Sequence, residues 1–162
     1  LPGTPGMEHR VGGLEKWDET GHVSYDPENH QKMVKLRQQK VDVIANDIPL
    51  AKPFGSGNGE LLVIGWGGTH GAIRSAVESA QKEGLSISHL HLRHLNPLPK
   101  NLGEILVKYQ KVLIPELNLG QLALIIRAKF LVDVISLCKV QGKPFTRGEI
   151  YKKITELIEG SE

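Results

Sequence analysis

The feature that most constrains this chain is the alternation, from Leu61 to Ile158, of short apolar runs with stretches of helical period. Leu61–Trp66, Leu85–Leu92, Val112–Leu117 and Val132–Lys139 read as strands. Between and after them, 70–83, 102–108, 121–130 and 147–158 read as helices. Strands separated by helices of this length pair in parallel through right-handed crossovers, which place the helices on the faces of the sheet. The expected fold is a three-layer α/β/α sandwich with a mostly parallel sheet of four to five strands.

Local chemistry supports the helices independently of period. Thr146 and Glu149 match a capping box, and Ile150, Tyr151, Ile154, Leu157 and Ile158 supply a buried face behind it. Thr69 stands where it would cap the helix that follows, and Gly84 suits its left-handed end. Upstream, residues 1–25 carry many turn formers and no sustained period, so an irregular arm is expected. Asp26-Pro27 starts an amphipathic helix over 26–48, whose stripe of Met33, Val34, Leu36, Val41, Ile44 and Ile48 must lie on something. Pro49, Pro53, Gly55, Gly57 and Gly59 mark 49–60 as a linker, leaving 61–160 as the α/β domain.

Several function classes fall away. Lys and Arg number 20 and Asp and Glu 18, with no basic run and no aromatics interleaved with basic residues, so nucleic-acid binding is not expected. The longest apolar runs, such as Leu122–Ile126, fall far short of the roughly 18 residues of a membrane span. The single Cys138 cannot form an intrachain disulfide and, within an apolar strand, is expected to be buried and inert; a reducing, cytoplasmic setting follows. With Leu at position 1 and no signal-peptide pattern, the sequence reads as a piece of a longer chain.

Candidate chemistry sits at strand ends. Gly65-Trp66-Gly67-Gly68-Thr69-His70-Gly71 follows a strand and opens a helix, so its amides, with Gly67, Gly68 and Thr69 foremost, could hold an anion. His70 stands where a dinucleotide fingerprint has its third glycine, and the next strand ends in Arg93 and His94 rather than an acid. Arg93 keeps an NADP reading open, and a tight turn that lets helix and strand pack closely is preferred. His89 and His91 share one strand face, with His94 and His70 near the same sheet end, but no Cys or acid is spaced to complete a metal site. Glu116, Asn118 and Gln121 cluster at the carboxyl edge of the third strand, as ligand groups, as caps of the next helix or as contacts to a partner domain. No catalytic set of Ser-His-Asp, phosphate-loop or paired-carboxylate type occurs.

Five segments in order, Leu1–Arg10, Tyr25–His30, Gly65–Gly67, Leu92–Pro99 and Pro115–Leu122, resemble the end of the alpha subunit of 2-oxoacid:ferredoxin oxidoreductases, above all of the 2-oxoglutarate type. The resemblance implies a transketolase C-terminal-like domain that follows a pyrimidine-binding thiamine domain, and a strand order of 2-1-3-4. The implied reaction is oxidative decarboxylation of a 2-oxoacid with coenzyme A to acyl-CoA, carbon dioxide and reduced ferredoxin. Thiamine diphosphate, magnesium and an iron–sulfur cluster would be held by the pyrimidine-binding domain, the beta subunit and a cluster-bearing part. This fragment would hold none of them: one Cys cannot ligate a cluster. It would serve assembly, with Gly67, Gly68, Thr69, Glu116, Asn118 and Gln121 forming an edge towards an anion or a partner domain. A stand-alone NADP- or anion-binding enzyme domain, or a small metabolite-sensing regulatory module, stays open beside that reading.

Overall fold

The computed structural model describes residues 1, 3–8 and 11–160. Two compact units divide the chain, Leu1–Asp47 and Ile48–Glu162.

In the first unit, the arm expected to be irregular contains a small hairpin. Lys16 and Val23 form an antiparallel bridge, Trp17 N–H donates to His22 O at 2.8 Å and Ser24 N–H to Glu15 O at 2.9 Å. Helix α1 spans Pro27–Asp42, with Asp26 accepting from Asn29 N–H at 2.7 Å. The Asn29 side chain is buried and donates to Lys16 O at 2.9 Å, which ties helix to hairpin. The helix ends sooner than expected, tightening into a 3₁₀ turn over Val43–Asn46. Pro49 disfavours helical backbone at residue 48, so the chain must leave the helix before it. Two of the six residues of the apolar stripe, Val34 and Ile44, are each 46% exposed.

The second unit carries the sheet. Strand β1 (Gly59–Trp66) leads through a 3₁₀ turn at Gly67–Thr69 into α2 (His70–Lys82). Then follow β2 (Ile87–Leu92), α3 (Leu102–Leu106), β3 (Tyr109–Glu116), α4 (Gln121–Phe130), β4 (Ile135–Cys138) and α5 (Arg147–Glu159). The order is β2-β1-β3-β4 and every pairing is parallel, with Leu61 opposite Ile87, Leu62 opposite Val112 and Glu116 opposite Cys138. Successive residues of β1 face opposite ways. Leu62 and Ile64 join Leu102, Leu122 and Ile126 in one core, while Leu61 and Val63 join Ile73, Val77, Ile150 and Ile154 in the other. Thus α3 and α4 cover one face, α2 and α5 the other. This is the α/β/α arrangement and strand order expected from the sequence. No helix among the described residues is long and apolar enough to cross a membrane.

Of residues 49–60, read as a linker, 49–58 are strapped onto the sheet and Gly59 and Glu60 begin β1. Phe54 exchanges two backbone hydrogen bonds with His89, at 2.7 and 2.9 Å, along the outer edge of β2. The Asn101 side chain bonds both backbone groups of Ala51 at 2.9 Å. Gly55 (φ 126°) passes so close that an added Cβ would lie 2.5 Å from Ser88 Oγ. The strap covers an edge that would otherwise offer unpaired amides and carbonyls.

At the start of α5, Glu149 accepts from Thr146 N–H at 2.7 Å and from Lys139 Nζ at 2.7 and 2.9 Å. The Lys139 ammonium, then the Thr146 amide and hydroxyl, pull the Glu149 carboxyl down to about 2 from the ordinary 4.5. Because the folded value is depressed, this stabilisation is complete above the unfolded value and is lost as pH falls through the folded one. Glu149→Gln is therefore expected to lower the urea midpoint at pH 7, with the gap to wild type closing between about pH 4.5 and pH 2. An equal gap at both ends of that range would show that the carboxylate charge is irrelevant.

Candidate functional site

Two concave places lie at the carboxyl ends of the strands. The first is the crevice between β1 and β3, whose following helices leave on opposite faces of the sheet. That is the switch point at which open α/β sheets place ligands. A cavity of about 340 Å³ there is lined by Trp66, Gly67, Gly68, Thr69, Leu117, Asn118 and Gln121. Five of the six residues singled out from sequence meet in this lining, and Glu116 lies fully buried beneath it.

Glu116 is positioned as the last residue of β3, and its carboxylate collects donors from three directions. Oε1 accepts from Trp66 Nε1 at 3.3 Å, Asn118 Nδ2 at 3.2 Å and Leu122 N–H at 2.9 Å, and Oε2 from Ala123 N–H at 3.1 Å. Asn118 Oδ1 takes the amides of Gly120 at 2.8 Å and Gln121 at 3.0 Å. The free donors at the start of α4, which would otherwise attract an anion, are thus used by the chain itself. Two lining residues, Trp66 and Leu117, are not singled out by the sequence; the Trp66 indole contact with Glu116 bridges 50 residues of chain and leaves no local signal.

Thr69 differs from its expected role. It provides no side-chain cap to α2; its Oγ1 accepts from Trp66 N–H at 3.1 Å and donates to Trp66 O at 2.9 Å, closing the 3₁₀ turn. The intervening turn moves Thr69 away from cap geometry, since its backbone is already helical (φ −85°, ψ −9°). Gly65 shows why the turn is glycine-rich: an added Cβ would lie 2.5 Å from Ile73 Cδ1 and 2.9 Å from Thr69 Oγ1. The close-packing reading of these glycines holds at that position.

The second place is a cavity of about 480 Å³ beside β2, walled by the strap, by α2 and by the end of β2. His70, His89 and His91 meet there with ring centroids 4.8 to 6.0 Å apart, and His94 joins the lining. Burial, then the charges of His70, His91 and Arg74, pushes His89 down to about 3. Burial, then His70 and Arg93, also lowers His91. Among the described residues, no group of three His, Cys, Asp or Glu side chains is arranged to hold a metal ion. Sequence reading brings the histidines together but misses Lys52, Phe54 and Arg74, which reach the cavity from distant segments.

Cys138 is exposed, not buried. It ends β4, a four-residue edge strand on which Ile135 and Leu137 face the α2–α5 core while Ser136 and Cys138 point the other way. A lone thiolate cannot hold an iron–sulfur cluster, so these residues do not fit that cofactor.

An open, fully parallel α/β sheet with a crevice at its switch point defines the class of domain. Residues 59–150 match the family model described as pyruvate:ferredoxin oxidoreductase core domain II, and the chain belongs to that family. It is 50% identical over 99% of its length to the 2-oxoglutarate oxidoreductase subunit KorA of Mycobacterium tuberculosis, and covers 24% of that protein. It is 31% identical over 87% of its length to the alpha subunit of 2-oxoacid:ferredoxin oxidoreductase 1 of Aeropyrum pernix, covering 23% of it. A structure of 2-oxoglutarate:ferredoxin oxidoreductase from Magnetococcus marinus, with 2-oxoglutarate, coenzyme A and succinyl-CoA bound, superposes with a TM-score of 0.88. That match is 32% identical over 97% of this chain and 28% of the other. The chain therefore spans about a quarter of the length of these relatives. Three of the sequence segments that carry the likeness lie wholly among the described residues of the α/β unit; Pro2, His9 and Arg10 of the first segment lie outside the described residues.

Removing the Glu116 carboxylate strands several buried donors, each costing about 1–3 kcal/mol if left without a partner. Glu116→Ala is expected to lower unfolding free energy by at least about 2 kcal/mol in urea denaturation. An unchanged midpoint would show that this carboxylate does not organise the crevice.

Proposed function

We propose that this chain is the transketolase C-terminal-like domain of the alpha subunit of a 2-oxoglutarate:ferredoxin oxidoreductase. The near-complete match, at 50% identity, to a 2-oxoglutarate oxidoreductase subunit carries this reading. The parent enzyme would oxidatively decarboxylate 2-oxoglutarate with coenzyme A, giving succinyl-CoA, carbon dioxide and reduced ferredoxin. Thiamine diphosphate, magnesium and the iron–sulfur cluster belong, on this reading, to other parts of a cytoplasmic assembly. Its partners are the pyrimidine-binding domain of the same subunit, the beta subunit and ferredoxin.

The domain's own contribution is positional. The polar groups of the β1–β3 crevice bond mainly to one another, which favours a rigid docking edge over a reactive centre. Gly67, Gly68, Thr69, Asn118 and Gln121 would meet a neighbouring domain across that edge, with Glu116 fixing them from below.

The complete assembly should reduce a viologen dye in the presence of 2-oxoglutarate and coenzyme A, and residues 1–162 alone should not. Turnover by the isolated chain would overturn the assignment. Gly68 separates docking from folding, because among the described residues nothing beyond its chain neighbours lies within 4 Å of a Cβ added there. Gly68→Glu should leave the thermal midpoint of the isolated α/β unit within a degree or two while weakening recovery of the intact assembly. Full assembly of the variant would place the docking edge elsewhere.

A further inference from the structure

The cavity beside β2 has a composition that the docking role does not use. Lys52, Arg74 and Arg93 bring three basic side chains to its lining, four histidines complete the polar wall, and among the described residues no carboxylate lines it. Glu78 holds Arg74 through Nε at 2.6 Å, and the guanidinium lies 3.1 Å from the centroid of the Phe54 ring, so this cation is fixed in place. Lys52 and Arg93 have no acidic partner among the described residues. Such a concentration of one sign of charge raises the local concentration of the opposite one.

Two polar atoms in the same wall are unmatched. His89 is 2% exposed and its Nε2 has no hydrogen-bond partner; His91 Nδ1 is buried and equally without one. Buried polar atoms are almost always paired, and each one left alone costs about 1–3 kcal/mol. Both atoms are shut off from solvent, so the groups offered to a ligand are the cationic side chains of the lining. The wall that carries them is rigid, since His89 is locked on both backbone groups by Phe54 and the strap is locked by Asn101.

We infer that this cavity binds a phosphorylated small molecule, whose phosphate is held by Arg74, Arg93 and Lys52. A cation is disfavoured by the surrounding positive charge, and the imidazoles do not converge as metal ligands. Phosphate suits the site better than a carboxylate, because a tetrahedral dianion offers acceptors to several donors at once and balances more than one of the cations. At about 480 Å³ the cavity exceeds a bare phosphate and falls within the range of small-molecule sites, roughly 300–1,000 Å³.

The inference rests on the cavity and not on the subunit assignment, so it is read by binding and not by turnover. Calorimetric titration of the full-length protein containing this chain, with thiamine diphosphate and magnesium kept saturating, would use three probes: pyrophosphate, adenosine 3′,5′-bisphosphate and citrate. Saturable binding of at least one phosphate probe is expected, weakened tenfold or more in both Arg93→Gln and Lys52→Gln, two exposed residues. Absence of saturable phosphate binding, binding unchanged in both variants, or citrate binding as tightly as the phosphates would each overturn it.

Discussion

A single buried carboxylate organises the edge of this domain. Glu116 gathers the indole of Trp66, the amide of Asn118 and two amides of α4, and so joins the end of β1, the end of β3 and the start of α4 at one point. A charge in that position is tolerable only because every direction supplies a donor, and the positive end of α4 adds to the attraction. The crevice at the switch point inherits its shape from this arrangement. Asn118 extends it by accepting from the amides of Gly120 and Gln121.

The opposite side of β1 follows a different rule. There the strap of residues 49–58 closes the sheet edge by backbone bonds, and in doing so brings Lys52 and Phe54 to the end of β2. Positive charge accumulates beside histidines that burial keeps neutral. One edge of the sheet is thus electrostatically satisfied and the other is not, although both belong to a domain spanning about a quarter of its relatives' length.

Legibility in the sequence tracks how local the determining interaction is. The Asp26-Pro27 start of α1 and the Thr146–Glu149 box of α5 involve residues three apart or fewer, and both are plain from residue order alone. The apolar runs of β1 and β3 are equally clear, because burial on two faces leaves them few polar residues. Thr69 misleads because a cap and a 3₁₀ turn use the same residue type, and only the backbone angles separate them. Cys138 misleads because an apolar run does not reveal that its strand lies at the sheet edge, where one face is incompletely covered. Residues 49–60 look like a linker because prolines and glycines break regular structure, yet Phe54 still pairs with β2.

The sequence by itself determined the element types, the α/β class and the likeness to a family, since these depend on periodicity, capping and ordered motifs that neighbouring residues encode. Only the tertiary structure decided that Glu116 is a buried junction, that Cys138 faces out, and that Lys52, Arg74, His89 and Arg93 share one cavity. Those outcomes depend on which strands lie side by side. Pairing is set by the summed burial of both cores and the strap, a property that no single stretch of chain carries.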